Sequence, residues 1–166
     1  MEKKNKIMIV DDDSFLLDMY SLKFSQGGFE VTAELGSEKA LLKLEEGYKP
    51  DLILLDVVMP GMNGFELLKK IEDEKLAPGA IKIILSNRGQ TNDIEEGKKY
   101  GASGYIVKAN STPSEVVLKI TEIINNDPLC QSLQALISRI DIFSASTISA
   151  TQTSTPESAS SLTIGS

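Results

Sequence analysis

From residue 6 to residue 126, short apolar runs alternate with longer segments in which apolar residues recur every three or four positions. Periods of two and 3.6 in alternation yield parallel strands joined by crossover helices. Five strands are predicted, over Ile7 to Val10, Glu30 to Leu35, Asp51 to Asp56, Ile81 to Ser86 and Ser103 to Val107. The unbroken run Leu52, Ile53, Leu54, Leu55 suits a central strand covered on both faces, whereas Val31, Ala33 and Leu35 alternate with polar residues as on an edge. The third strand is therefore expected inside the sheet and the second at its periphery.

The same pattern predicts helices over Ser14 to Gln26, Ser37 to Glu46, Gly64 to Glu74, Thr91 to Tyr100 and Pro113 to Asn126. The last is the best specified: Val116, Val117, Ile120, Ile123 and Ile124 form one stripe, and Pro113 fits the first turn behind a Thr112 cap. The fourth offers little beyond Ile94 and Tyr100 and contains Gly97, so it is weakly anchored and able to move.

The pattern changes after Asp127-Pro128. Residues 129 to 166 carry only Arg139, Asp141 and Glu157 as charges and are rich in Ser and Thr. One amphipathic helix is expected within 128–143, with Leu133, Leu136, Ile137 and Ile140 as its stripe, and 144–166 is expected to be disordered. The domain organisation is one folded domain over 1–127 and a tail. That tail either docks a partner or a second copy, or has no selected role; with one Arg it is not expected to form a DNA-binding output module.

A length of 166 residues allows one ordinary core, and 41% apolar with 25% charged residues is a soluble globular composition. The chain has no His and a single Cys, Cys130, read as a small apolar residue. Ser-His-Asp and Cys-His sites, ordinary zinc sites, histidine phosphocarriers and intramolecular disulfides are excluded. Chemistry must come from carboxylates, hydroxyls, Lys and backbone. A net charge of −7 argues against a direct nucleic-acid surface. No stretch approaches about 18 apolar residues, so no membrane span is expected and a cytoplasmic, soluble protein is.

Ligands of open parallel sheets bind beyond the carboxyl ends of the strands. There this sequence places Asp11, Asp12 and Asp13 after the first strand, Asp56 at the end of the third, Ser86 and Asn87 at the fourth, and Lys108 after the fifth. Carboxylates about 5 Å apart repel by roughly 3 kcal/mol per pair at an effective dielectric near 20, so the cluster needs cations. Mg²⁺ fits best, with its preference for hard oxygens, while Lys108 adds a point charge. Asp13 is read instead as the cap of the first helix, and Gly61, Gly64, Gly101 and Gly104 as turn formers. A carboxylate beside Mg²⁺ can attack phosphorus and form an aspartyl phosphate, with Lys108 and the Ser86 hydroxyl holding the incoming oxygens.

Four motifs in order, IMIVDDD, DLILLDVVMPGMNG, IILS and GASGYIVK, resemble the response-regulator receiver domain of two-component signalling over about residues 5 to 126. The resemblance implies a flavodoxin-like, doubly wound α/β fold, with a five-stranded parallel sheet in order 2-1-3-4-5 and helices on both faces. It implies that Asp56 accepts the phosphoryl group from a histidine kinase or phosphotransfer protein. It further implies that Asp12 ligates Mg²⁺ directly, Asp11 mainly through water, and Val58 through its backbone carbonyl. Lys108 then pairs with the phosphoryl group, Ser86 and Tyr105 form a coupled switch pair, and the output is a downstream protein target.

Three departures from the family pattern stand out. Ala109 follows Lys108 where the family usually has Pro in a cis bond; before a non-proline residue that isomer costs about 2.5 to 4 kcal/mol, so a trans bond is expected. Asn87, beside Arg88, replaces a small residue and can crowd the phosphoryl oxygens or the attacking water. Val58 has no polar side chain to guide a hydrolytic water, and slow self-dephosphorylation is expected. Two rival readings stand beside this one: a haloacid-dehalogenase-type phosphatase, with the same functional groups in another chain order, and a pseudo-receiver that is never phosphorylated.

Overall fold

In the computed structural model, which describes residues 4–125, β1 (Lys6–Asp11), β2 (Glu30–Leu35), β3 (Leu52–Leu55), β4 (Ile81–Ser86) and β5 (Gly104–Val107) form one parallel sheet in the order β2-β1-β3-β4-β5. The helices α1 (Ser14–Gln26), α2 (Ser37–Glu45), α3 (Gly64–Asp73), α4 (Thr91–Lys99) and α5 (Pro113–Asn125) follow the strands in turn. The interior third strand and outer second strand are as expected. Strand three is shorter at both ends than its predicted span, because Asp51 and Asp56 flank the paired run Leu52–Leu55, and strand five starts at Gly104 rather than Ser103. The expected tail helix over 128–143, the Ser/Thr-rich residues 144–166 and Cys130 lie outside the described residues.

Strand alternation sorts the core into two layers. Ile7, Ile9, Leu52, Leu54, Ile83 and Leu85 pack with Leu17, Tyr20 and Phe24 of α1 and Val116 and Ile120 of α5. Met8, Val10, Ile53, Leu55 and Ile84 pack with Ala40, Leu41 and Leu44 of α2 and Leu67, Leu68 and Ile71 of α3 on the opposite face. With all four of its residues buried, β3 is held from both sides, so the position of Asp56 just beyond it is fixed by the core. Truncating a fully buried residue such as Ile53 to Ala would cost about 2 to 5 kcal/mol.

Helix ends show how local sequence sets the frame. The Asp13 carboxylate accepts from the backbone N–H groups of Phe15 and Leu16 at 2.9 and 3.2 Å, the cap expected of it. Thr112 and Glu115 exchange reciprocal hydrogen bonds before α5, a capping box that confirms the Thr112 cap. Asn63 and Glu66 do the same for α3. By contrast, α4 buries only Gly97 and has no side-chain cap.

Candidate functional site

The carboxyl ends of β1, β3 and β5 bring Asp11, Asp56 and Lys108 into direct contact. The Lys108 ammonium donates to Asp11 Oδ2 at 2.5 Å and to Asp56 Oδ2 at 3.0 Å. All three side chains are less than a tenth exposed. The remaining oxygens are tied to backbone: Asp11 Oδ1 accepts from the Asp13 N–H at 3.0 Å, and Asp56 Oδ1 from the Val58 N–H at 3.2 Å. Asp12 is exposed, yet carboxylate oxygens of Asp11, Asp12 and Asp56 all lie within 4.8 Å of one another. The Asp11-Asp12-Asp13 run thus divides into a buried cluster member, an exposed one and a helix cap.

The charges of this cluster do not cancel. Burial pushes the Asp11 carboxyl above its ordinary value of 3.8, outweighing the downward pull of Lys108 and the Asp13 amide, and the charge of Asp56 adds to the rise. Burial also works to lower the Lys108 ammonium, but its hydrogen bonds to Asp11 and Asp56 win and hold it above 10.5. One permanent cation therefore stands against three carboxylates. The donor set is all hard oxygen, and Asp12 has no hydrogen-bond or ion-pair partner among the described residues, so the cluster has both the charge deficit and the ligand chemistry that suit Mg²⁺.

Ser86 is fully buried at the end of β4, and its Oγ accepts from the Arg88 N–H at 3.3 Å. The Tyr105 hydroxyl donates to the Arg88 carbonyl at 2.7 Å. Burial, and then the charge of Asp93, hold this phenol above its ordinary value of 10.0, so it stays a neutral donor. Arg88 therefore contacts both members of the predicted switch pair through its backbone, a link that side-chain patterns do not reveal. Val58 is half exposed beside Asp56, and Asn87 is exposed at the rim, lining a groove of about 530 Å³ with Arg88, Gly89, Gln90 and Asp93.

Two further features extend the sequence reading. No cis peptide occurs among the described residues, so the Lys108–Ala109 bond is trans, and Lys108–Asn110 form a single 3₁₀ turn. Gly61 and Gly101 have positive φ, as turn formers do, but Gly64 does not: a Cβ there would lie 2.1 Å from the carbonyl oxygen of Asp56. Gly64 is required by close backbone approach, and its N–H donates to the Val57 carbonyl at 3.0 Å, pinning the segment behind Asp56. Tyr20, also overlooked in the sequence, is buried on α1 within the field of Lys108, Asp11 and Asp56; burial first, then the two carboxylates against the ammonium, raises its phenol above 10.0.

The profile of the response regulator receiver domain matches residues 7–121. The chemotaxis protein CheY of Thermotoga maritima is 33% identical over 118 residues, covering 71% of this chain and 96% of that protein. The DNA-binding response regulator MtrA of Mycobacterium tuberculosis is 30% identical over 141 residues, covering 84% of this chain and 60% of MtrA. Among solved structures, the chemotaxis response regulator CheY4 of Vibrio cholerae superposes with a TM-score of 0.67 at 27% identity, covering 73% of this chain and 99% of that one.

Proposed function

Because the chain belongs to the response-regulator receiver family, we propose that it is a phosphoacceptor that takes a phosphoryl group onto Asp56 and relays the event by a shift of the α4–β5 face. Such domains are signalling modules rather than conventional enzymes, and membership of this family sets aside the dehalogenase-type phosphatase. The observation that carries the assignment is the Asp11, Asp56 and Lys108 contact: three strands deliver two buried carboxylates and one ammonium to a single point.

In this reading a histidine kinase or phosphotransfer protein supplies a phosphoryl group. An oxygen of Asp56 forms the new P–O bond while the donor's P–N bond breaks, and the departing imidazole retains its electron pair and is reprotonated from solvent. Asp11, Asp12, Asp56 and the Val58 carbonyl are the proposed ligands of Mg²⁺, which when bound neutralises charge on the phosphoryl oxygens. Lys108 is already seated between Asp11 and Asp56, so its ammonium can hold an incoming oxygen without reorganisation. The Ser86 hydroxyl has its proton free for a second oxygen and would move inward, away from the Arg88 N–H, to donate it.

Recruitment of Ser86 by the phosphoryl group would break its bond to Arg88, and the same residue's carbonyl holds Tyr105. Signalling is then a population shift in which Arg88 transmits the loss of one contact to the other. The domain boundaries of 1–127 and the cytoplasmic location are part of the proposal; no helix among the described residues is long and apolar enough to cross a membrane. The output is proposed to be protein binding. DNA binding belongs to the name of MtrA, of which this chain spans 60%. The net charge of −7 argues against direct nucleic-acid binding by this chain. Incubation with Mg²⁺ and acetyl phosphate followed by intact mass tests the assignment: one added phosphoryl mass, lost in Asp56→Asn, is expected, and no gain supports the pseudo-receiver.

A further inference from the structure

The two ends of α4 are held very differently. At its carboxyl end the helix closes with two backbone bonds, Ala102 N–H to the Gly97 carbonyl at 2.9 Å and Gly101 N–H to the Lys98 carbonyl at 3.1 Å. With Gly101 at φ 90°, this is a Schellman stop. Gly97 lies directly on β4: an added Cβ would stand 2.6 Å from Ile84 Cδ1. The Tyr100 ring meets Phe65 of α3 at a centroid distance of 6.4 Å. Beneath them, Glu72 of α3 places its side chain against Gly101, where a Cβ would fall 2.9 Å from the Glu72 carboxyl carbon, and its carboxylate pairs with the buried ammonium of Lys82 on β4. The Lys82 carbonyl accepts the Ser103 N–H at 2.7 Å, so the same residue also fixes the approach to β5.

The amino end has no comparable frame. Gln90 precedes the helix without a side-chain cap, Ile94 is only partly buried, and the groove lined by Asn87 to Gln90 and Asp93 lies alongside. Its ties are the Arg88 bonds to Ser86 and Tyr105, together with the close approach of Gly89 to Val107. Both Arg88 bonds end on residues that the phosphoacceptor reading makes mobile.

We infer that α4 turns as a lever about its carboxyl end, with the Lys82–Glu72 pair as the pin of the pivot. This rests on the phosphoacceptor reading for what drives the motion, but not for where the pivot lies. Lys82 is nearly buried in a strand face otherwise given to Ile84 and Ser86, and Glu72 is the only carboxylate paired with it among the described residues. The pair adds a polar tie between α3 and β4 beside the approach to β5, where Phe65, Ile71, Ile84, Tyr100 and Ala102 already pack together.

The test uses the full chain with Cys130→Ser and spin labels on one of two pairs, Gln26→Cys with Asn92→Cys or Gln26→Cys with Lys99→Cys. Distances are read by pulsed electron resonance before and after acetyl phosphate with Mg²⁺, while intact mass reports phosphorylation. The label at 92 should move by about 3 Å, in the range of switching helices, and the label at 99 by less than about 1 Å. Glu72→Gln should broaden the distribution at 99 even without phosphate and leave the 92 distribution as it was. Should that single exchange fail to fold, Lys82→Met with Glu72→Leu removes both charges and makes the same prediction. Phosphorylated protein in which both labels or neither move overturns the lever. If no mass is gained, the phosphoacceptor reading fails instead, and the pin is judged on the broadening alone, its absence overturning it.

Discussion

Two lysines enter the sheet layer of this protein nearly buried, one at each end of the strands, and they meet opposite circumstances. Lys82 faces one carboxylate, Glu72, and the pair is balanced. Lys108 faces Asp11 and Asp56, with Asp12 close by, and the group is two charges short of neutral. Burial of an ion is tolerated in both places because each ammonium has a partner. Only the second grouping retains oxygens and negative charge for something further to bind. A charge deficit at the carboxyl ends of strands, rather than burial of charge as such, marks the end of the sheet proposed to be functional.

Removing one partner from the balanced pair should have the largest effect on stability. Glu72 is 43% exposed, so solvent screens the pair; Glu72→Ala should lose about 1 to 2 kcal/mol in urea unfolding, whereas Lys82→Met, which keeps the stem and discards the charge, should stay within about 0.5 kcal/mol of wild type. Equal losses from both would mean that the ammonium carries no desolvation burden. Neither change should alter uptake of a phosphoryl group.

At the unbalanced site the sign should reverse. Asp56→Asn relieves two carboxylate repulsions and one buried charge, and should raise stability in chelator by about 1 kcal/mol. The same exchange should diminish the stabilisation by Mg²⁺, which for wild type at ten times its Kd is about 1.4 kcal/mol. A destabilised Asp56→Asn protein would contradict the charge-deficit description.

The smallest effect concerns pH in metal-free protein. Lys108 is held above its ordinary value of 10.5, so the folded state keeps a proton that the unfolded chain gives up. Its contribution is fully present below about 10.5 and is lost as pH rises through the higher folded value. Chemical denaturation from about pH 10.5 upward should show this decline in wild type and a shallower one in Lys108→Met.

Most of the frame is legible in the residues. The apolar run Leu52 to Leu55 announces a central strand, and every helix is found within one residue of its predicted start and end among the described residues. The acid cluster is legible because ligands of parallel sheets gather at strand ends, which converts residues far apart in the chain into neighbours. What stays hidden depends on pairing across space. Lys82 looks like an ordinary polar position in a strand, since only the fold brings Glu72 over it. Gly64 reads as a turn residue because the 2.1 Å approach to the Asp56 carbonyl is tertiary. One link from Ser86 to Tyr105 passes through the backbone of Arg88, where side-chain identity carries no signal, beside the direct influence of the Ser86 side chain on the Tyr105 phenol.

The central claim concerns the fate of one carboxylate. Full-length protein incubated with Mg²⁺ and acetyl phosphate, then weighed intact and mapped by peptide fragmentation, should carry a single phosphoryl group on Asp56 that is absent from Asp56→Asn and sharply reduced in Lys108→Ala. A wild-type mass that does not change, or a phosphoryl group that persists in Asp56→Asn, would contradict it.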